Sequence, residues 1–278
     1  MLNALDFYDK WEYTVKDGTR FIADGVFDNC SCGNQFGCYF DYHYIVIPKS
    51  VTSIGVNSFK DMIIRCYNGS YAHEYAVENN IEYELLFGFD DIKENAWYYD
   101  AVKYVSQKGY MNGMSRDIFS PATNLTREQF VLILANRAGV NTDDYKYTDS
   151  GFTDVKLGKW YSGAVTWAVR RGYVSGMSQS KFGTGQPIQR AALVRMLYNY
   201  ASKNGKNTSG RSDLNVFADA SLYETEGNLW MKEPMEWAVN AGIINGINKG
   251  GALISDPKGY TTRAQTAQIL KQYDSIKG

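Results

Sequence analysis

Phe89-Asp90-Asp91-Ile92, followed by Trp97, Tyr104, Gly109, Gly113 and Arg127, is the stretch on which the fold turns. The same order returns as Phe152-Thr153-Asp154-Val155, Trp160, Trp167, Gly172, Gly176 and Arg190. It returns again as Phe217-Ala218-Asp219-Ala220, Trp230, Trp237, Gly242, Gly246 and Arg263. Between the first two copies the Asp, Trp, Gly and Arg landmarks all move by 63 residues. Landmarks that shift in step mark one supersecondary unit copied along the chain. The units are expected at 87–148, 149–214 and 215–278.

Within each unit the spacing is helical. Trp97, Ala101, Tyr104 and Val105 fall at i, i+4, i+7 and i+8, the apolar stripe of an amphipathic helix, and Trp160, Ala164, Trp167 and Ala168 repeat it. Gly109, Gly172 and Gly242 stand where a helix ends in a left-handed cap. After a loop containing Pro121, Pro187 or Pro257, a second apolar run begins near each Arg, as in Phe130-Val131-Leu132-Ile133-Leu134. Residues 141–150 and 202–212 are polar and aperiodic and read as connectors. A lone helix pair of about fifty residues buries too little core to stand alone, so three copies are expected to share one.

Residues 1–86 follow another rule. Ile22 and Phe27 in Phe21-Ile22-Ala23-Asp24-Gly25-Val26-Phe27 match Ile54 and Phe59 at a shift of 32. Between them Tyr44-Ile45-Val46-Ile47-Pro48 is a short β-branched strand ended by proline. Strand and turn at a fixed period suggest the last coils of a solenoid, with Arg65–Ser70 as closing strand and 71–79 as capping helix. The expected fold class is therefore mainly α: three helix–loop–helix repeats sharing one core, preceded by a small α/β solenoid remnant. Met1–Asp6 does not read as a secretory leader, and two coils are few, so the chain reads as the C-terminal piece or processed form of a longer protein.

Composition narrows the function. The 278 residues carry 29 Lys plus Arg against 30 Asp plus Glu, a net charge of -1, which argues against a grip on nucleic acid. No apolar run is long enough to span a bilayer. His43 and His73 are the only histidines, leaving little for His-based catalysis or metal binding. Cys30, Cys32, Cys38 and Cys66 lack paired zinc spacing and read as structural thiols or one disulfide. Aromatic residues make up 15% of the chain, a rich supply of flat contact surface.

The start of the second helix holds the most informative residue. Thr126 with Gln129, and Thr262 with Gln265, form capping boxes, whereas Gln189 and Ala192 have lost both halves. Arg127, Arg190 and Arg263 nevertheless stand in all three copies, at a helix end whose dipole favours anions. A guanidinium beside free backbone N–H groups makes a carboxylate or phosphate site. The structural alternative is an ion pair with Asp91, Asp154 or Asp219. Trp97, Trp160 and Trp230 belong by periodicity to the apolar helix face, and their rings also suit a groove wall against a sugar. Asp90 with Asp91, or Glu224 with Glu226, could be cast as a glycosidase acid and base, but adjacent acids on loops are usually solvated surface.

At these motifs the chain from about Phe89 to Ser275 resembles the S-layer homology (SLH) domain of bacterial surface proteins, in three tandem copies. The resemblance implies a pseudo-threefold helical unit whose inter-repeat grooves bind secondary cell wall polysaccharide, often through a pyruvyl-ketal sugar. It implies that Arg127, Arg190 and Arg263 meet the carboxylate. Asp91, Asp154, Asp219, the three Trp and the second glycines Gly113, Gly176 and Gly246 would shape the grooves. Gln129, Ala192 and Gln265 stand where the family has Glu, and Gln189 where it has Thr, which implies that one or two grooves are weak or silent. Residues 1–86 resemble BspA-type leucine-rich repeats, which would present a surface to an external protein or glycan. The expectation is a non-catalytic anchor at the cell surface, without cofactor, catalytic residue or metal. The alternative is the anchoring part of a wall hydrolase or an adhesin.

Overall fold

A computed structural model describes residues 12–27, 44–59 and 62–276. They fall into two compact units: Met1–Asp91 with Asn112–Phe119, and Ile92–Met111 with Ser120–Gly278. Cys30, Cys32, Cys38 and His43 lie outside the described residues.

The first unit is built from strands β1 (Glu12–Thr14), β2 (Phe21–Ile22), β3 (Tyr44–Val46), β4 (Ser53–Ile54), β5 (Ile63–Tyr67) and β6 (Tyr83–Leu86), with helix α1 (Tyr71–Glu78). The 32-residue period becomes a stacking register, because Glu12 pairs with Tyr44 and Ile22 with Ile54, both in parallel. Branched side chains one period apart therefore meet, and Ile22, Ile45, Ile47, Ile54 and Ile64 form the buried core. At Gly55 a Cβ would stand 2.1 Å from Asp24 Oδ1, so the coil spacing itself requires glycine. Strand order is β1-β3-β5-β6, all parallel. Residues 65–70 are thus not a closing strand: β6 pairs beyond β5, and α1 is the crossover between them.

The second unit holds α2 (Tyr99–Gln107), α3 (Arg127–Arg137), α4 (Ser162–Arg170), α5 (Arg190–Lys203), α6 (Leu229–Asn240) and α7 (Arg263–Ser275). Each copy supplies two helices, yet the main packing is exchanged between copies: α3 lies on α4, α5 on α6, and α7 on α2. The reason is burial. Ala101, Val102 and Val105 of α2, or Ala164, Val165 and Ala168 of α4, are almost wholly covered, which a single pair could not achieve. At the centre the loops before the second helices close a ring of backbone bonds. The Leu125 N–H donates to Thr261 O (2.9 Å), Ile188 to Leu125 O (2.8 Å), and Thr261 to Ile188 O (3.0 Å). All three residues are fully buried.

Several expectations need correction. Among the described residues helix accounts for 37% and strand for 13%, so the fold is mixed α/β rather than mainly α. The difference comes from the parallel coils of the first unit and from hairpin β7 (Ile247–Lys249) and β8 (Ala252–Ile254) inside the third copy. Trp97 and Trp160 precede their helices, so the buried stripe begins after them. Pro187 does not correspond to Pro121 and Pro257: Thr184 takes that place, and Pro187 bridges to Thr126. Part of the connector 141–150 is a 3-10 turn, Thr142–Tyr145, packed on α4. Gly109, Gly172 and Gly242 do adopt φ of 69°, 68° and 69° just past α2, α4 and α6, the left-handed stop expected of them.

Candidate functional site

Two open grooves lie in the second unit, each assembled from all three copies. The first, about 450 Å³, takes Arg127 from copy one, Gly176 and Met177 from copy two, and Trp230 from copy three. The second, about 270 Å³, takes Arg190 from copy two, Gly246 from copy three and Trp97 from copy one. The exchange of helices creates this rotation of contributors, since each groove follows the seam between a second helix and the next copy.

Arg127 opens α3 and is buried. Its Nε donates to Phe182 O (2.9 Å) and its Nη2 to Ser175 O (2.9 Å), with the guanidinium 4.9 Å above the Phe182 ring. Among the described residues no carboxylate lies within ion-pair distance of it. Burial pushes its pKa down, against the opposing pull of Glu128 and Asp154. A desolvated guanidinium held by neutral carbonyls beside an open groove is a strong anion acceptor. Arg195 lines the same groove and donates to Trp230 O (2.8 Å).

Arg190 opens α5 in the same position but is already neutralised. Its Nη1 pairs with Asp256 Oδ2 at 3.0 Å, and its Nη2 donates to Gln265 Oε1 at 3.3 Å. Asp256 escaped the sequence reading. It occupies the place that Gly183 has in copy two, and both adopt positive φ, 48° and 93°. A carboxylate at a left-handed loop position opposite a repeated Arg was the available signal.

Asp154 and Asp219 organise loops by accepting backbone N–H groups. Asp154 accepts the N–H groups of Phe182 (2.8 Å), Gly183 (2.8 Å) and Thr184 (3.0 Å). Burial alone would raise its pKa, but these donors hold it below the ordinary value. Asp219 accepts from Ser255 N–H and Oγ–H and from Asp256 N–H. In the first unit Asp91 accepts the Phe119 N–H at 2.8 Å. The second glycines admit the opening Phe of each motif: a Cβ would come within 2.7 Å of Phe89 at Gly113, 2.5 Å of Phe152 at Gly176 and 2.6 Å of Phe217 at Gly246.

Trp97, Trp160 and Trp230 are surface residues, not core. Trp97 is 64%, Trp160 53% and Trp230 42% exposed, the first two set edge-on against Tyr98 and Tyr161. Arg263 is buried at the start of α7, where the Thr262–Gln265 capping box forms. The candidate acid pairs are occupied otherwise: Asp90 sits 3.6 Å from Lys49, and Glu224 2.7 Å from Lys232. Cys66 is buried, which raises its thiol pKa to about 12. No group of three or more His, Cys, Asp or Glu that could hold a metal occurs among the described residues. No helix there is long and apolar enough to cross a membrane.

With this geometry in place, comparison with known proteins is informative. The S-layer homology domain model matches residues 88–131 and 151–193. An exoglucanase XynX of Acetivibrio thermocellus is 27% identical over 66% of this chain and 16% of its own length. The surface-layer 125 kDa protein of Lysinibacillus sphaericus is 26% identical over 62% of this chain and 14% of its own. A cellulosome-anchoring protein of A. thermocellus is 26% identical over 50% of this chain and 29% of its own. The chain thus spans a minor part of these relatives. Two stretches of the chain, 88–131 and 151–193, are S-layer homology domains.

Proposed function

We propose that the chain is a non-covalent cell-wall anchor that holds secondary cell wall polysaccharide in the grooves between its repeats. The observation that carries this reading is Arg127: buried, without a carboxylate partner among the described residues, and facing an open groove walled by the exposed Trp230. That combination suits an acidic sugar, the ring against indole and the acid on the guanidinium, and a pyruvyl ketal supplies such an acid. The S-layer homology matches and the surface-layer and anchoring relatives support the same placement at the cell surface. On this reading residues 215–278 are a third copy, which the repeated landmarks and the α6–α7 pair support, and Arg263 and Trp160 belong to the ligand-binding set. Residues 1–86 are proposed as coils of a BspA-type leucine-rich array, turned to an external protein or glycan, and the stacked parallel register at 32 residues supports this.

The test is co-sedimentation of the purified chain with isolated wall, before and after chemical removal of the secondary polymer. Binding lost with the polymer is the expected result. Binding unchanged by its removal, or release of soluble sugar by the chain, would replace the anchor reading with a peptidoglycan-binding or hydrolytic one.

A further inference from the structure

The two grooves share a plan and differ in charge. The Arg127 groove is lined by two guanidinium groups, Arg127 and Arg195, and by no carboxylate. In the Arg190 groove the one charged lining residue is the guanidinium that Asp256 has already neutralised. A ligand acid entering there would have to displace Asp256 or lie beside it as a like charge, and either course removes the gain that Arg190 could offer.

What the Arg190 groove offers instead is amide chemistry. Gln268 and Gln272 stand four residues apart on one face of α7, line the groove, and have no side-chain hydrogen-bond partner among the described residues. Each amide presents two donors and an acceptor, which match hydroxyl and acetamido groups and compensate no charge. Trp97 adds an apolar ring face. We infer that the groove of Arg190 and Trp97 takes an uncharged, hydroxyl- and amide-bearing saccharide, and that Asp256 is the residue that excludes an acidic one. The inference rests on the reading of the grooves as saccharide sites and deepens it: one molecule presents an acid-selective groove and a neutral-selective one. Gly183, at the place of Asp256, has no side chain to put against Arg127.

The test follows the indole N–H signals of Trp97 and Trp230 by NMR, assigned with Trp97→Phe and Trp230→Phe. Two probes are titrated: a methyl N-acetylhexosaminide, and the same glycoside bearing a carboxyethylidene ketal. In the unaltered protein the acidic probe should move Trp230, while Trp97 should bind the neutral probe roughly tenfold or more tightly than the acidic one. Asp256→Asn keeps a residue that tolerates the left-handed backbone, so it should raise the affinity of the acidic probe at Trp97 about tenfold and leave the neutral one unchanged. Asp256→Gly, which copies Gly183, should do the same if the Asn variant folds poorly. Equal affinity of the acidic probe at Trp97 and Trp230 in the unaltered protein, or no gain in either folded variant, overturns the inference and leaves the groove reading standing. Silence of both indoles to both probes overturns the two together.

Discussion

Lys at position 127 would keep the positive charge and lose the planar fork that bonds Phe182 O and Ser175 O while facing the groove. Arg127→Lys should therefore weaken wall binding by about ten- to hundredfold, the equivalent of roughly 1.5–3 kcal/mol for a lost charge-assisted contact, and lower the melting temperature as two carbonyls lose their donor. Arg190→Lys should differ in binding. It disturbs a buried pair with Asp256, so the melting temperature should fall while binding of an acidic polymer barely changes. Parallel wall-binding isotherms and thermal melts of the two variants check both halves. Equal effects would mean that the arginines do the same work despite their different partners. The repeated Arg was legible in sequence because it recurs where a helix does not want it. The partner of Arg190 was not, because Asp256 lies far along the chain and inside a hairpin-bearing loop that copies one and two lack.

Helix starts and loop anchors set the next level. Thr262 accepts the Gln265 N–H at 3.3 Å and Gln265 Oε1 accepts the Thr262 N–H at 3.1 Å, so Thr262→Ala should cost about 1 kcal/mol in unfolding free energy by denaturant titration. Gln189→Ala, at an N-cap without a side-chain bond, should cost markedly less. The Asp154 loop has its own signature. Its carboxyl is held below the ordinary value of 3.8, so its contribution is complete above that value and disappears as pH falls through the lowered native one. Asp154→Asn should therefore destabilise the fold at neutral pH and flatten the acid limb of the melting-temperature profile. An acid limb identical to that of the unaltered protein would place the responsible carboxylates elsewhere. The helices were readable because long periodic stripes and capping glycines are strong local signals. Of the strands, β3 was readable in Tyr44–Pro48, but β2 and β4 are two residues each, and β7 and β8 three, too short for alternation to register. The tryptophans misled because periodicity assigns a face without saying where the helix begins, and α2 and α4 begin after Trp97 and Trp160.

At the scale of the second unit, exchange of helices means that no copy completes its own core. Removing residues 215–278 strips α7 from α2 and α6 from α5 and opens the central ring. The shortened chain should lose the sharp cooperative melt of the full protein and gain binding of a hydrophobic dye. A truncated chain that melts as sharply and at the same temperature would mean the first two copies are self-sufficient. The ring of Leu125, Ile188 and Thr261 also has a consequence in time. A backbone donor early in the sequence finds its acceptor only near the far end, so the loop-closure entropy is met late and the local helices gain little before then. On the ribosome the first two copies emerge with only the α3–α4 seam able to close, and the nascent unit stays open, pliable and threadable until its last helix arrives.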